Sequence, residues 1–327
     1  MKILICHTHR FELWCAPEWV GERLARDFPE MRIIHLPDYE QLPQEISDTD
    51  VLIGWAIKPQ HFAGAHTLKW IHSPAAAVHQ LMFPELIASN VIVTNSGDVH
   101  GPVVAEHAIA LLLALAKRLP QSMRYQAKKQ WAQEILWEQQ PRPREVSGAT
   151  VVVVGMGSIG REFTSRAKAL GMKVLAVREK PEKGLGGADA VYGPSQLESV
   201  LSQADYVLLC IPVTPATTMM INRDRLGRMR PDSYLINVGR GSLVDEDALV
   251  EAIQNGMIAG AALDVFNEEP LPARSPFWNL ENVLITPHTA AVTDRLWERH
   301  YQLICENLNR FLESRPLLNL IDKRRGY

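Results

Sequence analysis

Residues 151–160 read VVVVGMGSIG, and few stretches this short narrow the choice of fold so far. Four consecutive valines have no helical period and suit a strand buried on both faces. Glycines follow at once, at 155, 157 and 160, and a helix-compatible segment then runs to Gly171. Strand, glycine turn and helix in that order commit this part of the chain to a parallel sheet covered by helices. The turn also has a ligand reading. Gly155 can make the tight turn, Gly157 lets backbone approach a pyrophosphate, and Gly160 permits close helix–strand packing beneath the positive helix end. Met156, Ser158 and Ile159 then belong to the same phosphate cradle. A glycine-rich turn with no ligand is the plain alternative.

The rhythm extends in both directions. After the polar, proline-containing QQPRPREVSG come TVVVVG, KVLAV, DYVLLCIP, SYLINV, AGAALDVF and VLITP, separated by helix-like segments. The first hundred residues alternate KILIC, RIIHL, VLIGWA, LKWIHS and VIVTN with polar, helix-compatible stretches. At 327 residues the chain is comfortable for two hydrophobic cores. The expected class is therefore α/β, with two doubly wound parallel-sheet domains and a cleft between them. A Rossmann dinucleotide-binding domain is expected over 101–290, and a flavodoxin-like substrate domain over 1–100 plus 291–327. Residues 108–116 are apolar on every side, which predicts a helix buried against more than one neighbour and bridging the lobes. The amphipathic segment at about 292–313 is expected to return to the first lobe, and the IDKRRGY tail to be solvated.

Composition removes several classes of function. Apolar residues at 46% and charged residues at 22% describe a soluble globular protein, and a net charge of -3 gives nucleic acid no electrostatic footing. MKILICHTHR has too short an apolar run for a signal peptide, and no stretch approaches the roughly 20 apolar residues of a membrane span, so a cytoplasmic protein with no membrane partner is expected. Cys6, Cys15, Cys210 and Cys305 form no CxxC pair, and no two histidines stand at helical i, i+4 spacing. Reduced thiols and no metal follow.

In folds of this kind the second strand usually ends, about 20 residues after the glycines, in an acid that accepts hydrogen bonds from the ribose hydroxyls. KVLAVREK places Arg178 there instead. A carboxylate repels a 2′-phosphate, whereas a guanidinium holds one through charge-assisted hydrogen bonds. NADP(H) is thus the expected cofactor, with NAD the alternative if Glu179 takes the acid's place. Three further patches follow strand-like segments, where ligands of open α/β sheets bind: NVGRGSLVD with Arg240, LDVFNEEPLP with Asp264 and Glu269, and ITPHTAA with His288. The family resemblance described below implies a 2-keto acid as substrate, which offers a carboxylate and a carbonyl. Arg240 can anchor the first and polarise the second, while His288 donates the proton that the carbonyl oxygen needs as hydride arrives. Glu269 would orient the ring and favour the imidazolium. Isolated, each of these residues reads as structural; the claim is that all three meet at one carbonyl.

Six segments in order, VAEHAIALLLALAKR, VVVVGMGSIG, IPVTPATTMMINRDRLGRM, INVGRGSLVDEDALVEAI, GAALDVFNEEPLP and NVLITPHTAA, resemble the D-isomer-specific 2-hydroxyacid dehydrogenase family, which includes glyoxylate/hydroxypyruvate reductases. The resemblance implies that Arg240, Glu269 and His288 are the catalytic residues. It also implies that Pro212, Thr217, Val238, Asp264 and His288 lie along the cofactor, with Asp264 near the nicotinamide amide. It implies a homodimer, for which the 108–116 segment is a candidate contact. HSPAAAVHQL aligns with a family loop whose backbone amides receive the substrate carboxylate, so Ala75, Ala76 and Ala77 join Arg240 and His288 as substrate-binding residues. Those alanines replace glycines and disfavour positive φ, which predicts a changed loop shape, and His79 stands where the family has an aspartate. His79, His100 and His107 have no assigned partner and read as structural. The expected activity is NADP(H)-linked reduction of a small 2-keto acid such as glyoxylate or hydroxypyruvate. The alternatives are a 3-phosphoglycerate or other D-2-hydroxyacid dehydrogenase and, from another class, a dinucleotide-sensing, corepressor-like interaction protein.

Overall fold

The computed structural model describes residues 1–326. It divides into two compact units, one of Met1–His100 with the chain from Val292 on, the other of Gly101–Ala291. The first unit holds a five-stranded parallel sheet of β1 (Lys2–Ile5), β2 (Arg32–His35), β3 (Val51–Ile53), β4 (Trp70–His72) and β5 (Ile92–Thr94), in the order β2-β1-β3-β4-β5. Strand alternation divides its apolar side chains between two cores. Ile3, Ile5, Val51 and Ile53 face one way, with Leu296, Trp297, Tyr301, Ile304 and Leu308 of helix Leu296–Leu312 packed on that side. Leu4, Cys6, Leu52 and Ile71 face the other.

The C-terminal tail departs from the solvated end expected of it. Leu320 bridges Thr94 in antiparallel sense, and Ile321 donates its N–H to the Val93 carbonyl and is buried in the second core. Lys323 Nζ donates to the carbonyls of Leu86 (3.0 Å), Ser89 (2.6 Å) and Val91 (3.0 Å), at the end of helix Pro84–Ala88 and just beyond it. A lysine reads as solvent-facing in a sequence, yet here it gathers three carbonyls at and beyond the end of a short helix.

The second unit is built on seven parallel strands: β6 (Thr150–Val154), β7 (Lys173–Val177), β8 (Ala190–Tyr192), β9 (Tyr206–Leu209), β10 (Tyr234–Asn237), β11 (Gly260–Leu263) and β12 (Val283–Ile285), in the order β12-β11-β10-β9-β6-β7-β8. The strand order reverses beside β6, so the crevice at its carboxyl end is the topological switch point. Val151 and Val153 face the core shared with helices Gly101–Ala116 and Ser158–Ala169, while Val152 and Val154 face the core shared with Leu197–Leu201 and Glu246–Gln254. β8 was not among the expected strands; it has three residues, sits at the sheet edge and is only half-buried.

Helix Gly101–Ala116 belongs to the second unit and buries one face, Val104, Ala105, Ala108, Leu111, Leu112 and Leu115, leaving Glu106, Ala110 and Lys117 exposed on the other side. The helix packs on helix Ser158–Ala169 and on β10 and β11, so it is buried against more than one neighbour, as expected, with part of its surface exposed. The segment Gly97–Ala116 is also long and apolar enough, by length and composition alone, to cross a membrane, contrary to the sequence reading. Its face of small and branched side chains is spent on the core of the Rossmann-like sheet.

Candidate active site

The candidates of the second unit, Thr217 and Glu269 apart, lie just past the carboxyl end of a strand. The glycine turn follows β6, Arg178 follows β7, Pro212 follows β9, Val238 and Arg240 follow β10, Asp264 follows β11 and His288 follows β12. Parallel strands place all these turns along one edge of the sheet. In the glycine turn, Gly155 has φ 110° and passes within 2.6 Å of Ile211 Cγ2 if given a Cβ, and a Cβ on Gly160 would fall on the Gly155 carbonyl oxygen. Both glycines are therefore required by the protein's own backbone. Gly157 is not: a Cβ there would meet no protein atom within 4 Å. A glycine that internal packing does not demand, at the uncapped N-terminus of the twelve-residue helix Ser158–Ala169, fits a dinucleotide pyrophosphate.

Arg178 is half-buried. Its guanidinium donates only a long bond, 3.4 Å, to the Gly184 carbonyl, and no carboxylate pairs with it among the described residues. Glu179 is exposed. Thr217 turns its hydroxyl into its own loop, donating to the Pro212 carbonyl (2.9 Å) and accepting from the Thr214 N–H (2.7 Å), so it shapes the turn after β9. Val238 is buried against the core below the same edge.

Glu269 and His288 meet: His288 Nδ1 lies 2.6 Å from Glu269 Oε2, and the other carboxylate oxygen accepts the Phe266 N–H at 2.9 Å. The carboxylate thus fixes Nδ1 as the protonated donor nitrogen and leaves Nε2 for a substrate. His288 adopts φ 52°, a left-handed backbone that costs a histidine energy and needs support. The support is Asp264, only 1% exposed. Its Oδ1 accepts the Thr286 hydroxyl (2.6 Å) and the Thr289 N–H (2.9 Å), its Oδ2 accepts the Ala290 N–H (3.0 Å), and its own carbonyl accepts the His288 N–H (2.9 Å). Burial opposes the charged form, yet these donors and His107 outweigh it and hold the carboxyl below the usual aspartate range.

His107, to which the sequence assigns no partner, completes this cluster. Its Nε2 lies 3.1 Å from Thr286 Oγ1 and 3.5 Å from Asp264 Oδ1. Because the Thr286 hydroxyl already donates to the carboxylate, it accepts from His107. The available signal is a polar pair, Glu106 and His107, interrupting an otherwise apolar helix.

Arg240 is exposed, donates to the Gly239 carbonyl (2.7 Å), and has no carboxylate partner among the described residues. Its turn is fixed by Asn237, whose Nδ2 donates to the Arg240 carbonyl (2.9 Å) and whose Oδ1 accepts the Gly239 N–H (3.0 Å). Gly241 then packs so closely on the next turn that a Cβ would fall on the backbone of Phe266 and Asn267. The Arg240 turn and the turn leading to Glu269 are therefore set against each other by backbone contact. An arginine without a counterion, a carboxylate-oriented imidazole and a helix N-terminus along one sheet edge can hold an anion, deliver a proton and bind a dinucleotide.

In the first unit, Ala75, Ala76 and Ala77 form the loop after β4, with Ala76 exposed. None of the three has positive φ, so alanine stands at these positions without backbone strain. His79 opens a short 3-10 turn, and His100 stacks edge-on to His300 at 5.7 Å. No group of three or more potential metal-ligating side chains occurs among the described residues.

Residues 109–290 match the model of the D-isomer specific 2-hydroxyacid dehydrogenase, NAD binding domain. The chain is 35% identical over 315 residues to a glyoxylate reductase of Thermococcus onnurineus, covering 93% of this chain and 92% of that protein. It is 34% identical over 297 residues to a glyoxylate reductase of Pyrococcus furiosus, covering 87% and 85%. Among solved structures, a D-isomer specific 2-hydroxyacid dehydrogenase of Xanthobacter autotrophicus, in complex with NADPH and MES, superposes with a TM-score of 0.82 at 28% identity, covering 99% of each chain.

Proposed function

This chain belongs to the D-isomer specific 2-hydroxyacid dehydrogenase family, and from that premise we propose that it is an NADP(H)-preferring reductase of glyoxylate or hydroxypyruvate. It is an oxidoreductase that moves a hydride between a nicotinamide cofactor and a 2-keto or 2-hydroxy acid. The observation that carries the finer reading is the His288–Glu269 pair, on the sheet edge that also presents an unpaired Arg240. When bound, the nicotinamide supplies the hydride that becomes the new C–H bond. Arg240 holds the substrate carboxylate and draws electron density from its carbonyl. His288 gives its Nε2 proton to the carbonyl oxygen as that oxygen becomes negative, and in the reverse direction takes it back. Glu269 keeps the ring facing the substrate through Nδ1.

Arg178 supports the NADP(H) preference, because an unpaired guanidinium at that strand end suits a 2′-phosphate. Turnover of a 2-keto acid panel with NADPH and with NADH tests both parts. We expect glyoxylate or hydroxypyruvate to lead, with NADPH favoured by about tenfold, the value of one good charge-assisted contact; NADH used tenfold better would reverse the cofactor assignment. His288→Ala is expected to lose about 10²-fold in turnover while NADPH still binds.

A homodimer is part of the same reading. Its contact is drawn not from residues 108–116 but from the next segment, where Leu119, Met123, Trp131 and Trp137 are all exposed, Trp131 by 90%. Light scattering is expected to give twice the 36.7 kDa chain mass, and Trp131→Glu to shift it toward one chain; a monomer at every concentration would refute it. The compartment proposed is the cytoplasm, where four free thiols persist and reduced cofactor is supplied.

A further inference from the structure

The turn that carries the strained His288 is tied to the Asp264 carboxylate by its own residues. Thr286 Oγ1 (2.6 Å) and the Thr289 N–H (2.9 Å) donate to Oδ1, and the Ala290 N–H (3.0 Å) donates to Oδ2. These donors all sit on the turn itself, and Asp264 sits at the end of the neighbouring strand β11. Such bonds fix the shape of the turn more than its place.

Among the described residues around this carboxylate, His107 comes from elsewhere. It belongs to helix Gly101–Ala116, and its Nε2 lies 3.1 Å from Thr286 Oγ1 and 3.5 Å from Asp264 Oδ1. That helix is firmly seated. Val104, Ala105, Ala108 and Leu111 are buried in the core, and Gly101 lies so close to helix Ser158–Ala169 that a Cβ would fall on the Ser158 hydroxyl oxygen. A side chain anchored in a packed helix can hold a turn in place where the turn's internal bonds cannot. All of these residues lie within the unit Gly101–Ala291.

We propose that His107 is a positioning residue for the reaction, whose Nε2–H holds the Thr286 hydroxyl on Asp264 and so keeps the turn that presents His288 in place. The proposal rests on the role of His288 as proton donor in the reading above.

The chain runs in one direction only. The Asp264 carboxylate accepts, so the single proton of the Thr286 hydroxyl is committed to it, and the oxygen is left to accept from His107. Rotating that hydroxyl away from Asp264 would set its proton against the His107 N–H, so the imidazole also blocks the competing rotamer. Packing alone calls for no imidazole here: the helix neighbours Val104, Ala108 and Leu111 are apolar, and leucine is the better helix former.

The test compares the full chain with His107→Leu, which removes the donor, and His107→Gln, whose amide can still donate to Thr286. Kinetics with NADPH and glyoxylate are read beside hydrogen exchange, by mass spectrometry, of the Thr289 and Ala290 amides. In His107→Leu we expect kcat to fall about tenfold with both KM values held within about twofold, and the two amides to exchange faster. His107→Gln should recover most of both. Adding His107→Leu to Thr286→Val should cost nothing further, because the histidine acts through that hydroxyl. His107→Asn, too short to reach Thr286, stands in if the leucine variant misfolds. Wild-type exchange at those amides in the leucine variant overturns the proposal. So does equal damage from leucine and glutamine, or independent, multiplying losses from the two sites. A wild type that reduces no 2-keto acid sinks the functional reading instead, and the exchange measurement still decides whether His107 holds the turn.

Discussion

His288 stands on a left-handed backbone only because the turn around it is tied to the Asp264 carboxylate, which takes donors from Thr286, Thr289 and Ala290. Asp264→Asn keeps the shape and changes one acceptor into a donor. The threonine hydroxyl can rotate, but the N–H groups of Thr289 and Ala290 cannot, and they address different oxygens of the carboxylate. One of them must therefore face an NH₂ group whichever way the amide is flipped. A buried donor without an acceptor costs about 1–3 kcal/mol, and a displaced imidazole lowers turnover by about tenfold or more. Thermal melting and kcat measured side by side check this, and a variant with wild-type values for both would show that the turn holds without the carboxylate. The sequence made Asp264, Glu269 and His288 visible because charged and titratable residues after buried strands have few structural reasons to be there. It hid the residues that align them. His107 bonds Thr286, and Thr286 bonds Asp264, across long sequence separations, and no local pattern reports such pairs.

At the scale of elements, apolar runs of four or five residues announced most strands because parallel strands are covered on both faces. β8 escaped for the opposite reason: three half-buried residues at an edge give no run to read. The tail was misjudged because IDKRRGY is charged, and charge is usually a solvated face. Its Lys323 instead bonds three carbonyls at and beyond the end of helix Pro84–Ala88, and burial lowers its pKa. Lys323→Met keeps the aliphatic stem and removes the donors. The expected loss is about 1–3 kcal/mol, read as a lower urea midpoint with an unchanged slope. Lys323→Arg should recover part of it, and a Met variant as stable as wild type would mean that water serves those carbonyls equally well.

The stability of the molecule as a whole should carry the mark of its buried imidazoles. Burial pushes His7 down to about 4 and His72 down to about 3, and burial together with the neighbouring His100, His72 and His7 lowers His300 well below its ordinary value. His35 and His61 shift in the same direction through burial. In each case the unfolded chain binds a proton near pH 6.5 that the folded chain still refuses, so the stabilisation is complete above that pH and declines as acid is added. Each fully protonated histidine in the unfolded chain steepens the decline by at most about 1.4 kcal/mol per pH unit. Depressed carboxylates such as Asp50 and Asp189 are also lost in acid, but only below about pH 4, where unfolded aspartates begin to take protons. Between about pH 6.5 and 4.5 the histidines set the decline, opposed only by Glu246, whose carboxyl burial raises. Trp55, Trp70 and Trp297 pack against the rings of His7, His72 and His300, so tryptophan fluorescence in urea reports the unit that contains them. Its unfolding free energy should fall steadily across that window, and His72→Gln, which cannot take the proton, should flatten the slope by about one proton's worth. A stability that stays level from neutral pH to pH 4.5 would mean that these imidazoles reach solvent and accept protons without unfolding.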